Sequence, residues 1–262
     1  MLGMIPRRPT AFLSAAATTR AALTTLRTRP PGGPDRWRRV NFAGRDVDLY
    51  GGPAVIAGVV AGAAALAGRP RAAAGLAVLG AGVCGAYDDV RGAGDPRRGF
   101  RAHLRALRAG EVTSGAVKLF GVPAAALAAG ALLKERPVDK VLAGVVVAGT
   151  AHLVNLVDVR PGRAAATVLA LGDPGLLHAE PGATLAAASM GAAAAVLPDD
   201  ARGRTMIGDT GAHALGAALG AAIAAGNGRA GLAAHAAGLV AAAACGDTVS
   251  RVAASGPRGA AG

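Results

Sequence analysis

Aromatic side chains are nearly absent from this sequence. One Trp, two Tyr and four Phe occur in 262 residues. Single-strand nucleic-acid binding needs aromatics interleaved with basic residues, and no such interleaving is present, so nucleic acid is not an expected partner. Cysteine is scarce as well. Cys84 and Cys245 lie in separate apolar stretches, which excludes a disulfide framework and a CxxC metal site and leaves both as small hydrophobes. Charged residues make up 17% of the chain, against about 25% in soluble domains. The 40 glycines follow no period of three, which excludes collagen. Disorder is excluded by a mean hydropathy of +0.40.

What remains is apolar and small. GGPAVIAGVVAGAAALAG, from Gly51 to Gly68, is 18 residues without a charge, about the length that crosses a hydrocarbon core of ~30 Å as a helix. Similar runs cover 72–87, 119–133, 141–157, 164–177, 183–197, 211–226 and 231–245, making eight in all, with the fifth interrupted by Asp173 and Pro174. The expected fold is an all-α, polytopic helical membrane protein of about eight transmembrane helices. Residues 1–50 form a basic N-terminal segment with an interfacial helix and a first loop, 51–245 the transmembrane domain, and 246–262 a C-terminal tail. Gly58–Gly62 and Gly216–Gly220 have the GxxxG spacing that lets helix backbones approach closely.

The net charge of +12 is explained by where the arginines fall. Alternate connecting segments carry 18 Lys and Arg on one side and six on the other. Basic residues accumulate in short cytoplasmic loops, which puts the first set inside a plasma membrane, where they meet anionic headgroups.

The 16 acids are few enough for their places to carry meaning. Asp88 and Asp89 close the second run in GAYDDVRG, Asp158 closes the fourth in HLVNLVDVRPGRA, and Asp209 precedes the seventh in RTMIGDTGAHALG. Two spans separate each cluster from the next, so all three emerge on the cytoplasmic face. Carboxylates gathered there would repel one another without a cation among them. Oxygen ligands of this kind suit Mg²⁺, which takes one or two carboxylates and completes its shell with water and substrate phosphate. Neighbouring arginines, Arg160 among them, would attract a diphosphate. Lys118, at the start of a span, serves as a counter-charge or a phosphate contact, and Asn155, three residues before Asp158, is placed to hydrogen-bond a ligand. The combination points to a phosphate-bearing substrate at a membrane face.

In order along the chain, AYDDVRG, HLVNLVD and MIGDTGA, preceded by RVNFAGRDVDLYGG, resemble the motifs of the polyprenyl-phosphate sugar-1-phosphate transferases, the MraY and WecA family. The resemblance covers about residues 41–251. It implies transfer of a sugar 1-phosphate from a UDP-linked amino sugar to a polyprenyl phosphate, with Mg²⁺ and release of UMP, in cell-envelope polymer synthesis. Carried over residue by residue, Asp88, Asp89 and Asp209 are the catalytic acids, with Asp209 and Asp89 as metal ligands. Lys118, Asn155, Asp158 and Arg160 bind substrate. A homodimer is left open. The chain departs from the family pattern at His152, Val159 and Pro161 in the second motif and at Ala212 and His213 in the third, and it has no histidine-rich loop of the MraY kind. These departures leave a divergent transferase with another donor, or a membrane paralogue without catalysis that binds lipid-linked precursors or an envelope partner.

Overall fold

The computed structural model describes residues 6–41, 43–92, 97 and 99–255. It is an all-α bundle. Helices form at all eight apolar runs: α2 (Gly51–Ala63), α3 (Gly68–Arg91), α5 (Ser114–Leu133), α6 (Pro137–Val157), α7 (Arg163–Gly172), α8 (Gly182–Ala201), α9 (Gly208–Gly226) and α10 (Arg229–Ala244). The fifth run, where Asp173 and Pro174 fall, gives only the short α7 and a 3-10 turn. Three further helices flank them: α1 (Arg7–Thr28), α4 (Phe100–Arg108) and α11 (Gly246–Ala254). A hairpin of β1 (Arg38–Val40) and β2 (Asp46–Asp48) joins α1 to α2. Residues 256–262 of the expected C-terminal tail lie outside the described residues.

Among the described residues three helices, α3, α5 and α6, are long and apolar enough to cross a membrane, and α10 with α11, bent by 78°, adds a fourth if the pair is one span. Their length and composition fit a helical membrane protein. At ~1.5 Å per residue, the 13 residues of α2 reach only about 20 Å. Helix α9 is long but is enclosed by the others, packing on α3, α6, α8 and α2 with 15 of its 19 residues buried. Its surface is Ala and Gly because protein, not lipid, covers it.

Small side chains set the helix spacing. A Cβ on Gly216 would sit 2.6 Å from the Ala151 Cα, and one on Gly220 would sit 2.7 Å from the Val147 Cα, so the antiparallel α6 and α9 touch backbone to backbone. On α2, Gly58 and Gly62 face Ala15 and Ala11 of α1 in the same way. Both GxxxG spacings therefore mark real crossings.

The N-terminal segment, expected as an interfacial helix, is a 22-residue helix laid against α2 and α8. Its buried stripe, Ala11, Ala15, Thr19 and Leu23, repeats every four residues and is made of small groups, which suits close helix packing better than insertion into a bilayer surface. Arginines pin both ends. Arg8 donates to Glu180 Oε1 at 2.9 Å and to the Leu176 carbonyl at 3.0 Å. Arg20, Arg27 and Arg204 surround the Asp199 carboxylate, which is 3% exposed.

This packing makes a direct prediction. Gly220→Val should lower the unfolding temperature of the detergent-solubilised protein, since overpacking costs ~1–3 kcal/mol. Gly75→Ala, where nothing lies within 4 Å of the new Cβ, should leave it unchanged or raise it, because Ala is favoured over Gly in a helix by ~1 kcal/mol.

Candidate active site

The site is built where α3 ends and α9 begins. A Cβ on Gly85 would collide with the Asp209 carbonyl, so this glycine brings the last turn of α3 onto the first turn of α9. Asp88 and Asp89 follow one turn later. Being adjacent on a helix they point in different directions, and they have different partners.

Asp89 reaches α9. Its Oδ1 accepts from the Asp209 amide at 3.1 Å, and its Oδ2 accepts from the Thr210 amide at 2.9 Å and the Thr210 hydroxyl at 2.6 Å. A carboxylate on the free amides of a helix N-terminus caps it and is favoured by the helix dipole. Gly208 adopts φ +58°, and a Cβ there would lie 2.8 Å from Asp89 Oδ2. The elements of Gly-Asp-Thr-Gly then divide their work: Gly208 makes the turn, Thr210 binds Asp89, and Gly211 packs against α2, where a Cβ on it would lie 3.0 Å from Gly52 Cα. Asp209 is left to face the cavity.

Asp88 points toward α5. Lys118 Nζ donates to Asp88 Oδ2 at 2.6 Å and also to Asp209 Oδ2, so one ammonium ties together two acids 121 residues apart in sequence. The Ser114 hydroxyl also bonds Asp88. A cavity of about 500 Å³ opens over Asp88, Asp89, Asp209 and Lys118, walled by His103 and rimmed by Arg39 and Arg97. The His103 ring bonds the Thr113 hydroxyl at 2.9 Å, and Arg39 donates to the Asp89 carbonyl at 2.5 Å.

Asp158 lies at the C-terminal end of α6. Since Gly220 meets Val147 and Gly216 meets Ala151 across antiparallel helices, one more step of four residues sets Asn155 opposite Ala212, and three residues further Asp158 comes level with Asp209. Burial, followed by the charges of Asp200, Asp209 and Asp89, pushes the Asp158 carboxyl well above the usual carboxylate range. Asn155 and Arg160 do not line the acidic cavity. Arg160 is half-buried in the loop between α6 and α7, where its carbonyl accepts from the Arg163 amide at 3.2 Å.

Asp200, missed in the sequence, is 2% exposed and accepts from the Gly162 amide at 2.9 Å. Its signal was legible: Asp199-Asp200 closes α8 as Asp88-Asp89 closes α3. Arg39, His103 and Ser114 gave no comparable signal, because ordinary loop and cap residues reach the cavity only through the fold.

Among the described residues no group of three or more His, Cys, Asp or Glu forms a ready-made metal cage. Two carboxylates nonetheless converge on one cation, and Mg²⁺ habitually takes only one or two from a protein. The donor set of Asp88 and Asp209 therefore fits a hard divalent ion, and Asp89, also expected as a ligand, lines the same cavity with its oxygens bonded to the start of α9. No protein-family model and no curated protein matches the chain. The chemistry rests on the residues themselves.

Two outcomes are expected. Asp89→Ala should destabilise the fold by ~1–2 kcal/mol, the cost of a lost helix cap, read as a lower unfolding temperature. Asp158 has a raised pKa in the folded chain, so its contribution to stability is fully present below its unfolded value and is lost as pH rises through the higher folded value. Asp158→Asn should therefore raise the unfolding temperature at pH 8 and leave it unchanged at pH 3.

Proposed function

We propose that this chain is a multi-pass plasma-membrane enzyme of about eight spans. On its cytoplasmic face it transfers a sugar 1-phosphate from a UDP-linked amino sugar to a polyprenyl phosphate, in cell-envelope polymer synthesis. The observation that carries this reading is the convergence of Asp88 and Asp209, from helices far apart in sequence, on the single cation Lys118 inside an arginine-rimmed cavity. The excess of basic residues in the loops at this end supports a cytoplasmic orientation.

In this reading an oxygen of the lipid phosphate attacks the phosphorus that bears the sugar. The bond from that phosphorus to the bridging oxygen breaks, and UMP leaves with the electron pair. The nucleophile is already ionised near neutral pH, so no residue has to remove a proton. Asp88 and Asp209 would hold Mg²⁺, which when bound would supply positive charge to neutralise the phosphates. Lys118 keeps the two acids together and offers its ammonium to the diphosphate. Arg39 and Arg97 draw anionic substrate toward the cavity mouth. Asp89 acts through α9, positioning Asp209. Asp158, with Asn155 and Arg160, shapes the nucleotide-sugar side.

A second reading, a paralogue without turnover that binds lipid-linked precursors or an envelope partner, is favoured by one feature. Lys118 already supplies the positive charge that the two acids share.

Membranes containing the protein, given polyprenyl phosphate, Mg²⁺ and a panel of UDP-amino sugars, should release UMP, and Asp209→Asn should abolish the release without impairing insertion. Silence across the panel with inserted protein selects the second reading. For topology, Arg105→Cys is placed in a background with the exposed Cys245 changed to Ser; Cys84 is buried. The new thiol should resist an impermeant reagent in intact cells and react in inverted vesicles. Labelling from outside would overturn the cytoplasmic assignment.

A further inference from the structure

The turn of the β1–β2 hairpin meets the loop between α8 and α9 at a notch that the proposed reaction does not use. Asn41 is 6% exposed. Its Oδ1 accepts from the Ala43 amide at 2.9 Å and the Arg45 amide at 3.0 Å, which leaves no ambiguity about which end of the amide is oxygen. The Nδ2 at the other end is a buried donor without a hydrogen-bond partner. Gly203 stands against it with φ +62°, and a Cβ on Gly203 would lie 2.8 Å from Asn41 Nδ2 and 2.9 Å from Arg45 Nη2. Only the missing Cβ of this glycine lets the two donors stand side by side here, and among the described residues the one acceptor that either bonds is the Arg202 carbonyl, 3.5 Å from Arg45 Nη2.

The surroundings are cationic. The only side-chain hydrogen bond of Arg45 among the described residues is a long one, 3.5 Å, to the Arg202 carbonyl. Arg202 itself donates only to the Pro198 carbonyl, at 3.3 Å. Neither guanidinium is paired with a carboxylate among the described residues, and Asp46, the acid next in the chain, bonds neither of them. Asp199 and Asp48 are engaged by Arg27, and Asp199 also by Arg20 and Arg204, while the buried Asp200 carboxylate accepts from the Gly162 amide. Neither Asn41 nor Arg45 lines the acidic cavity. A buried donor left unsatisfied costs free energy, and an exposed guanidinium beside it selects for an anionic acceptor with several oxygens.

We propose that the Asn41–Arg45–Gly203 notch binds a phosphoryl group, accepting from Asn41 Nδ2 and the Arg45 guanidinium, with Arg202 supplying further positive charge. The group is carried either by a soluble phosphate or by an anionic lipid headgroup.

The test uses the full-length protein in a zwitterionic detergent, without Mg²⁺ or UDP-sugar, so its result does not depend on the transferase reading. Binding is followed by thermal unfolding during titration with inorganic phosphate, against chloride at matched ionic strength, and separately with short-chain phosphatidylglycerol against phosphatidylcholine. Asn41→Asp keeps the oxygen that orders the turn and replaces the donor with a second oxygen. Arg45→Gln removes the charge. Each should weaken binding about tenfold, the effect of losing one charge-assisted hydrogen bond. Arg71→Gln, an exposed arginine at the opposite end of the bundle, should leave binding unchanged. A response to phosphate assigns a soluble ligand, and a response to phosphatidylglycerol alone assigns a headgroup; either supports the site. The proposal is overturned by no response to either, by undiminished binding in Asn41→Asp and Arg45→Gln, or by an equal loss in Arg71→Gln.

Discussion

The contact on which the rest of the site depends is the one between the Asp89 carboxylate and the first amides of α9. It fixes where α9 starts, and so where Asp209 points. It also fixes the end of α3, and so the direction of Asp88. Gly85 allows the approach and Gly208 allows the turn, so the two helices and their three acids form one rigid corner. Lys118 then closes the corner from a third helix. Net charge alone would drive these carboxylates apart, but the amides of α9 and one ammonium hold them together.

The bundle around this corner is built from residues with little to pack. Ala and Gly bury small areas each, and apolar burial is worth only ~25 cal/mol per Å². Close backbone approach compensates for this, since it multiplies dispersion contacts that larger side chains would prevent. The same composition explains why, among the described residues, α3, α5 and α6 reach the length and hydropathy of a span, while α8 and α9, the helices with the most buried residues, do not. Hydropathy reports contact with lipid, and the inner helices have little of it.

Much of the plan was legible in the sequence. Every apolar run became a helix, both GxxxG spacings became crossings, and Asp88, Asp89, Lys118 and Asp209 came together at one cavity. The division of labour between Asp88 and Asp89 was not legible, because adjacent letters do not reveal that a helix turns them toward different neighbours. Asp200 was overlooked although its pair with Asp199 mirrors the first acid pair. The depth of α1 was hidden by its Thr and Arg content, which reads as surface until Asp199 and Glu180 are seen to receive those arginines. Asn155 and Arg160 stand near Asp158 rather than in the acidic cavity, a separation that motif order along a chain does not express.

The arginine clamps on α1 have a consequence for how the molecule is made. The acceptors of Arg8 and Arg20 lie 172 and 179 residues further along the chain. At a synthesis rate of about 5–20 residues per second, the first helix waits roughly 10–35 s for α8 to emerge. During that interval its Thr-rich, arginine-bearing surface has only α2 beside it. The first element to leave the ribosome is therefore among the last to be locked, and the assembly pathway has to keep α1 beside α2, unclamped, until the eighth helix arrives.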